Sequence, residues 1–228
     1  MNDSKVIVAL DFPSDIAAMQ LVDKLSPELC RLKVGKELFT RCGPGLVKSM
    51  VSSGFDVFLD LKFHDIPNTV AKACESAAEL GVWMVNVHSM GGTAMMEAAH
   101  NVLCDDDSPL LIAVTLLTSS GENELRALGI DQNPADFVKR LATMTKDAGL
   151  DGVVCSAQEA AMLKRLCGDD FLLVTPGIRP ENANADDQNR IMTPRQAIDN
   201  GSDYLVIGRP VTQSDDPVRV LQEINAQI

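Results

Sequence analysis

Charged side chains stand in an unusual place in FLDLKFHDIPNT, which spans residues 58–69. The first half of this segment has the apolar residues of a buried strand, yet Asp60 and Lys62 occupy alternate positions in it. Side chains at i and i+2 share one face of a strand, so these two are predicted to point the same way. Unpaired charge is costly to bury, whereas opposite charges about 4 Å apart attract by roughly 4 kcal/mol at an effective dielectric near 20.

Lys33, in the preceding apolar run CRLKVG, is expected beside this pair at the same level of the neighbouring strand. An alternating array of Lys33, Asp60 and Lys62 can keep its charges ionised at neutral pH. One interpretation is a structural ion-pair network that closes the fold. A reaction site is favoured instead, because a structural network gains little over apolar residues of similar size.

Short apolar runs alternate with amphipathic helical stretches along the 228 residues. The predicted strands are KVIVALDF, CRLKVG, DVFLDLKF, WMVNVHS, LLIAVTLL, DGVVCS, DFLLVTPGI and DYLVIGRP. Strand–helix units of this size predict a (β/α)8 TIM barrel that forms one domain over residues 1–228. A doubly wound open sheet is the alternative, but LDFPSD after the first strand lacks the glycines of a phosphate-binding turn.

Polar side chains stand at or just after the ends of these predicted strands, where barrels carry their catalytic groups. They are Asp11, Lys33, Asp60, Lys62, His88, Thr118, Arg179 and Arg209. Because they come from different strand–helix units, we expect them to converge on one mouth of the barrel.

Composition narrows the range of functions. The net charge of −12 disfavours general nucleic-acid binding, because phosphates would be repelled. The six cysteines are dispersed and the three histidines are scattered, which predicts neither a disulfide framework nor a metal site. With no export signal and no apolar run of about 18 residues, we expect a cytoplasmic protein without a membrane span.

DLKFHDIPNT resembles the D-x-K-x-x-D signature of the orotidine 5'-monophosphate decarboxylase family, within a wider superfamily of phosphate-binding barrels. Further motifs of that family follow in order from the first strand to the last: VALDF, KVGKELF, TLLTS, PGIRP and VIGRP. The resemblance implies a barrel enzyme of pyrimidine biosynthesis. Its reaction would remove CO₂ from C6 of orotidine 5'-monophosphate (OMP) to give UMP, with no cofactor and no metal.

The resemblance also implies individual roles around the reacting ring. Lys62 would be the cation beside C6 and the proton donor. Asp60 would lie near the departing carboxylate and help to hold Lys62, while Lys33 would bridge Asp60 and the ribose. Asp11 would accept a ribose hydroxyl, and Thr118 would contact the pyrimidine.

The resemblance also implies a second subunit, through the residues that follow the charged strand. By resemblance, Asp65 would complete the charge array of the other subunit, with Ile66 and Thr69 beside it. The active sites would then be shared across a homodimer.

A phosphate site is predicted in the loops after the seventh and eighth strands, where barrels usually bind phosphate. Glycine lets backbone N–H groups approach an anion, and arginine can bind phosphate oxygens through two parallel hydrogen bonds. The resemblance assigns the phosphate to Arg209 and the Gly208 amide, with Arg179 and Gln188 on a closing loop.

Two other functions fit part of the pattern. A magnesium-dependent sugar-phosphate decarboxylase or synthase shares D-x-K-x-x-D but needs a metal to hold its enediolate. The position of Lys33 and the PGIRP and VIGRP motifs favour the orotidine family over it. A non-catalytic sensor of phosphate ligands would bind nucleotide without turnover, although no member of the catalytic set is missing from the sequence.

Overall fold

A computed structural model describes residues 4–180 and 192–228 of the chain. Within these ranges eight parallel strands pair in sequence order, and the last pairs with the first to close a barrel. The strands are β1 (Val6–Ala9), β2 (Arg31–Gly35), β3 (Val57–Phe63), β4 (Met84–His88), β5 (Leu110–Val114), β6 (Gly152–Val154), β7 (Leu172–Thr175) and β8 (Tyr204–Ile207). The predicted (β/α)8 barrel is confirmed.

Helices surround this barrel in the described ranges. They are α1 (Asp15–Val22), α2 (Lys36–Cys42), α3 (Pro44–Ser52), α4 (Pro67–Ala78), α5 (Thr93–Asn101), α6 (Glu122–Ala127), α7 (Pro134–Asp147), α8 (Ala160–Cys167), α9 (Pro194–Asp199), α10 (Arg209–Thr212) and α11 (Pro217–Asn225). A short 3-10 helix, Ser89–Gly91, follows β4. No helix in the described part of the chain has the length and apolarity to cross a membrane.

The strands are apolar on both faces because each face packs against a different core. In β1, Val6 and Val8 belong to the layer between the sheet and the helices. Ile7 and Ala9 belong to the barrel interior. This double burial explains why the strands read as continuous apolar runs.

Local sequence signals fix where many helices begin. The Ser14 side chain accepts a hydrogen bond from the backbone N–H of Ala17 and caps α1, and Asn133 caps α7 in the same way through Asp136. Proline stands at the first position of α3, α4, α7, α9 and α11, where its missing N–H is tolerated. The predicted starts near Ser14 and at Pro67 are confirmed.

A buried cation closes the amino-terminal end of the barrel. The guanidinium carbon of Arg31 lies 4.5 Å from the ring centroid of Trp83 and 5.1 Å from that of Tyr204. Its Nε is 3.2 Å from a carboxylate oxygen of Asp56. Stacking and charge pairing together hold the buried guanidinium in place, so packed side chains fill this end of the barrel.

Candidate active site

A cavity of about 660 Å³ opens at the carboxyl ends of the strands. Its volume lies within the range of small-molecule sites, which is roughly 300–1,000 Å³. Most of the residues singled out from the sequence line it. They are Asp11, Lys33, Asp60, Lys62, Thr118, Arg179, Gly208 and Arg209.

Four of these side chains form a continuous chain of alternating charge. Lys33 Nζ lies 3.4 Å from Asp11 Oδ1 and 3.3 Å from Asp60 Oδ2. Lys62 Nζ lies 2.5 Å from the other oxygen of Asp60, Oδ1. Asp60 therefore holds one lysine on each carboxylate oxygen. The predicted contacts form, but Lys33 is not at the level of Asp60 as expected: it pairs in register with Phe58, and Gly35 pairs with Asp60.

The environment of Asp60 has opposing effects on its pKa. Burial favours the neutral acid and would raise the pKa. The charges of Lys33 and Lys62, together with hydrogen bonds from Lys62 and Asn86, outweigh burial, so the pKa lies below its ordinary value. Asp60 is thus a carboxylate in the site although only 8% of its surface is exposed.

The backbone around Lys62 departs from a regular strand. Lys62 has a φ of 53°, and no other non-glycine residue in the described ranges has a positive φ. The pairing of β3 with β4 also shifts register between Leu59 and Phe63. Asp60 and Lys62 meet as predicted, but through an irregular turn of the strand rather than through simple alternation.

Asn86 on β4 is the residue of this region that sequence reasoning missed. Its side chain donates to Asp60 Oδ1 at 2.7 Å and accepts from the backbone N–H of Lys62 at 2.8 Å. The available signal was a single amide within the otherwise apolar run WMVNV. A buried polar side chain in such a run requires partners.

The opposite wall of the cavity is formed by the loops after β7 and β8. Arg179 is buried there, and its Nη1 donates to the carbonyl of Ile178 at 3.1 Å. Gly208 precedes the first turn of α10, which begins with Arg209. Thr212 and Gln213 also line the cavity and were not predicted. Gln188 lies outside the described residues.

Four of the predicted residues do not line the cavity of their own chain. One is His88 at the end of β4, which was expected at the mouth of the barrel but stacks on His64 instead. The other three follow β3. Asp65, Ile66 and Thr69 are all exposed around the start of α4. Asp65 accepts the backbone N–H of Ile66 at 2.6 Å, and Ile66 is 67% exposed. Their role at the site of a second subunit remains a prediction.

Two histidines stack beside the charged array. The rings of His64 and His88 are 5.5 Å apart between centroids. Burial, followed by the charges of His64, Lys36 and Lys62, lowers the pKa of His88 to about 4. Across residues 4–180 and 192–228, no cluster of three His, Cys, Asp or Glu side chains could hold a metal ion.

Comparison with known proteins agrees with this geometry. A family model described as orotidine 5'-phosphate decarboxylase / HUMPS family matches residues 4–224. The chain belongs to this family. Its relatives include the orotidine 5'-phosphate decarboxylase of Pseudoalteromonas translucida, 61% identical over 229 residues, with 100% of this chain and 98% of the relative covered. That of Shewanella sediminis is 59% identical over 230 residues, with the same coverage.

Solved structures with similar sequences share the fold. Orotidine 5'-phosphate decarboxylase from Lactobacillus acidophilus superposes with a TM-score of 0.89 at 38% identity, covering 99% of both chains. An uncharacterized conserved protein from Geobacillus kaustophilus gives a TM-score of 0.85 at 41% identity, covering 97% of this chain and 99% of its own. The family membership predicted from the motifs is confirmed.

Proposed function

We propose that this carboxy-lyase converts OMP to UMP and CO₂ in de novo pyrimidine biosynthesis, without a cofactor. One observation carries the proposal above the others. The alternating array of Asp11, Lys33, Asp60 and Lys62 lines the same cavity as Arg179 and Arg209. A ligand with a reactive ring at one end and a phosphate at the other matches this division.

At the reacting ring, the C6–carboxylate bond breaks and its electron pair stays on C6 while CO₂ leaves. The ammonium of Lys62 opposes the negative charge that develops there, and then gives a proton to C6. The resulting amine regains its proton from solvent. Because Asp60 already holds Lys62 in position and is itself paired with Lys33, little reorganisation is needed as the charge forms.

The remaining ligand contacts follow the same orientation. Asp11 and Lys33 would bind ribose hydroxyls, and Thr118 would contact the pyrimidine. The Gly208 amide and Arg209 would bind the phosphate, and Arg179 and Gln188 would assist them. Backbone amides at the start of a helix and arginine side chains are suited to phosphate oxygens.

The proposal also includes a homodimer, a single domain and a cellular compartment. Asp65, Ile66 and Thr69 are exposed and separate from their own cavity, which supports a homodimer in which they complete the partner's site. An exposed isoleucine beside charged and polar groups fits such an interface. We further propose that residues 1–228 form one domain and that the protein works in the cytoplasm.

The sugar-phosphate enzymes with D-x-K-x-x-D are the second candidate. The name of the matching family model joins the HUMPS family to orotidine 5'-phosphate decarboxylase, so the match alone does not separate the two. The identity of about 60% to relatives named orotidine 5'-phosphate decarboxylase favours the first. A non-catalytic sensor is ranked last because the charged array is complete apart from the contribution proposed for the partner.

Replacement of the proton donor tests the proposed chemistry. Wild-type protein is expected to convert OMP to UMP, and Lys62→Ala is expected to lower kcat by at least about 10⁴-fold. UMP binding, measured by calorimetry, should persist in this variant because the phosphate contacts are intact.

Lys139→Ala is the matched control, because Lys139 pairs with Asp136 on the exposed face of α7, and it should turn over OMP at the wild-type rate. If Lys62→Ala bound UMP normally and retained wild-type kcat, the role given to Lys62 would be wrong.

A further inference from the structure

Asn86 occupies a gap in the hydrogen-bonding ladder between β3 and β4. Leu59 pairs with Val85, but the next pair is Phe63 with Val87, so β3 advances four residues while β4 advances two. The surplus backbone of β3 loses its regular partners on β4. The side chain of Asn86 supplies one in their place, accepting the N–H of Lys62 at 2.8 Å.

The other end of the same amide holds the carboxylate of the array. Asn86 Nδ2 donates to Asp60 Oδ1 at 2.7 Å, and this oxygen also accepts from Lys62 Nζ. Only this orientation of the amide satisfies both partners, because the reverse would face oxygen with oxygen and N–H with N–H. One side chain therefore ties the main chain of Lys62 to the carboxylate of Asp60.

The backbone of Lys62 needs such a restraint. A positive φ is unfavourable for a residue with a side chain and persists only where the surroundings enforce it. Asn86 has no exposed surface, and it does not line the cavity, so it acts on the site only through its neighbours.

We infer that Asn86 is a positioning residue that sets the direction of the Lys62 ammonium and the Asp60 carboxylate for reaction. The inference rests on the proposed function, and it concerns a residue that no motif of the sequence marked. A displacement of about 1 Å in a reacting group can lower the rate by about 10²-fold, which is the scale expected here.

The test replaces Asn86 by leucine, which has a similar size and can make neither hydrogen bond. In Asn86→Leu, kcat for OMP should fall by about 100-fold, whereas KM and the affinity for UMP should change by less than about threefold. Asn86→Ala should lose less, about 10-fold, because the space it leaves can hold a water that bonds to both groups. If Asn86→Leu fails to fold, Asn86→Ala takes its place as the test.

Thr145→Val is the matched control. Thr145 is also fully buried, and its hydroxyl bonds to Ser89 and to the carbonyl of Leu141 on α7, away from the cavity. Its loss should lower stability while kcat stays within about twofold of wild type. A comparable fall in kcat for Thr145→Val, or a joint loss of kcat and UMP affinity in Asn86→Leu, would assign Asn86 a merely structural role.

Hydrogen exchange of the Lys62 amide gives a readout that does not depend on turnover. In wild type this amide should exchange slowly, and in Asn86→Leu at least about 10-fold faster, because its acceptor is gone. Wild-type turnover of OMP reports on the proposed function, whereas the amide reports on Asn86 alone. Unchanged exchange at Lys62, or kcat of Asn86→Leu within about threefold of wild type, would overturn the inference.

Discussion

At the residue scale, the site depends on charges that are buried together rather than separately. Asp60 keeps its charge under burial because it holds a lysine on each oxygen and an amide beside one of them. Each partner satisfies another, so removing one leaves a desolvated group without compensation. The same reasoning makes the array a poor choice for stability alone and a good one for a preorganised reaction site.

His88 gives a prediction about pH at this scale. Its pKa of about 4 lies below its ordinary value of 6.5, so the folded protein favours the neutral ring. The unfolded chain then binds more protons between these values. The stability that His88 contributes is present above pH 6.5 and is lost as pH falls towards 4.

His88→Gln, which does not titrate, should therefore show a shallower loss of unfolding free energy between pH 6.5 and 4 than wild type does. Urea denaturation at several pH values measures this slope. Parallel curves for the two proteins would contradict the assigned cause.

At the element scale, the closed sheet sets tight limits on side-chain volume. A Cβ added at Gly152 in β6 would lie 2.2 Å from the backbone oxygen of Leu172 in β7. Such contact forces adjacent strands apart, and these two strands support the walls of the cavity. Glycine is thus required here for close approach, although its φ is not positive.

Gly152→Ala is expected to lower the free energy of unfolding by about 1–3 kcal/mol, because the strands must shift. Gly45→Ala is the control, since a Cβ at Gly45 in α3 meets nothing within 4 Å. That variant should be unchanged or more stable by up to about 1 kcal/mol. Equal stability of the two variants in chemical denaturation would refute the steric explanation.

The same scale shows what the sequence could and could not predict. The strands were readable because burial on two faces makes each of them an apolar run. Helices α2, α6 and α10 were not, because they are short and bury one residue each: Leu38, Leu125 and Val211. The pairing of Asn86 with Asp60 spans 26 residues and depends on a shift in strand register, which no local pattern encodes.

At the scale of the whole molecule, the two ends of the barrel use charge differently. Arg31 at the amino-terminal end packs against two aromatic rings that also contact each other. Lys33 and Lys62 at the other end face an open cavity. The net charge of −12 makes this positive site a local feature, which suits a small anionic ligand better than an extended polyanion.

Mixing inactive variants tests whether sites are shared between subunits. If Asp65 completes the partner's site, Lys62→Ala and Asp65→Ala are each inactive alone. Their heterodimer regains one intact site, so a randomised equal mixture should recover about a quarter of wild-type activity. Turnover of OMP after co-refolding measures this.

A mixture of Lys62→Ala with Lys33→Ala is the control and should recover nothing, because both lysines line the cavity of the same chain. No recovery in the Lys62→Ala and Asp65→Ala mixture, with heterodimers demonstrated, would argue against a shared site.

The most direct measurement is OMP turnover by the purified protein in excess EDTA, followed by loss of the orotate-ring absorbance. The charged array of the protein is proposed to suffice for catalysis, so rapid turnover is expected, at the same rate with and without the chelator. No turnover by folded, dimeric protein, or turnover that EDTA abolishes and magnesium restores, would contradict cofactor-free decarboxylation and favour the sugar-phosphate branch of the family.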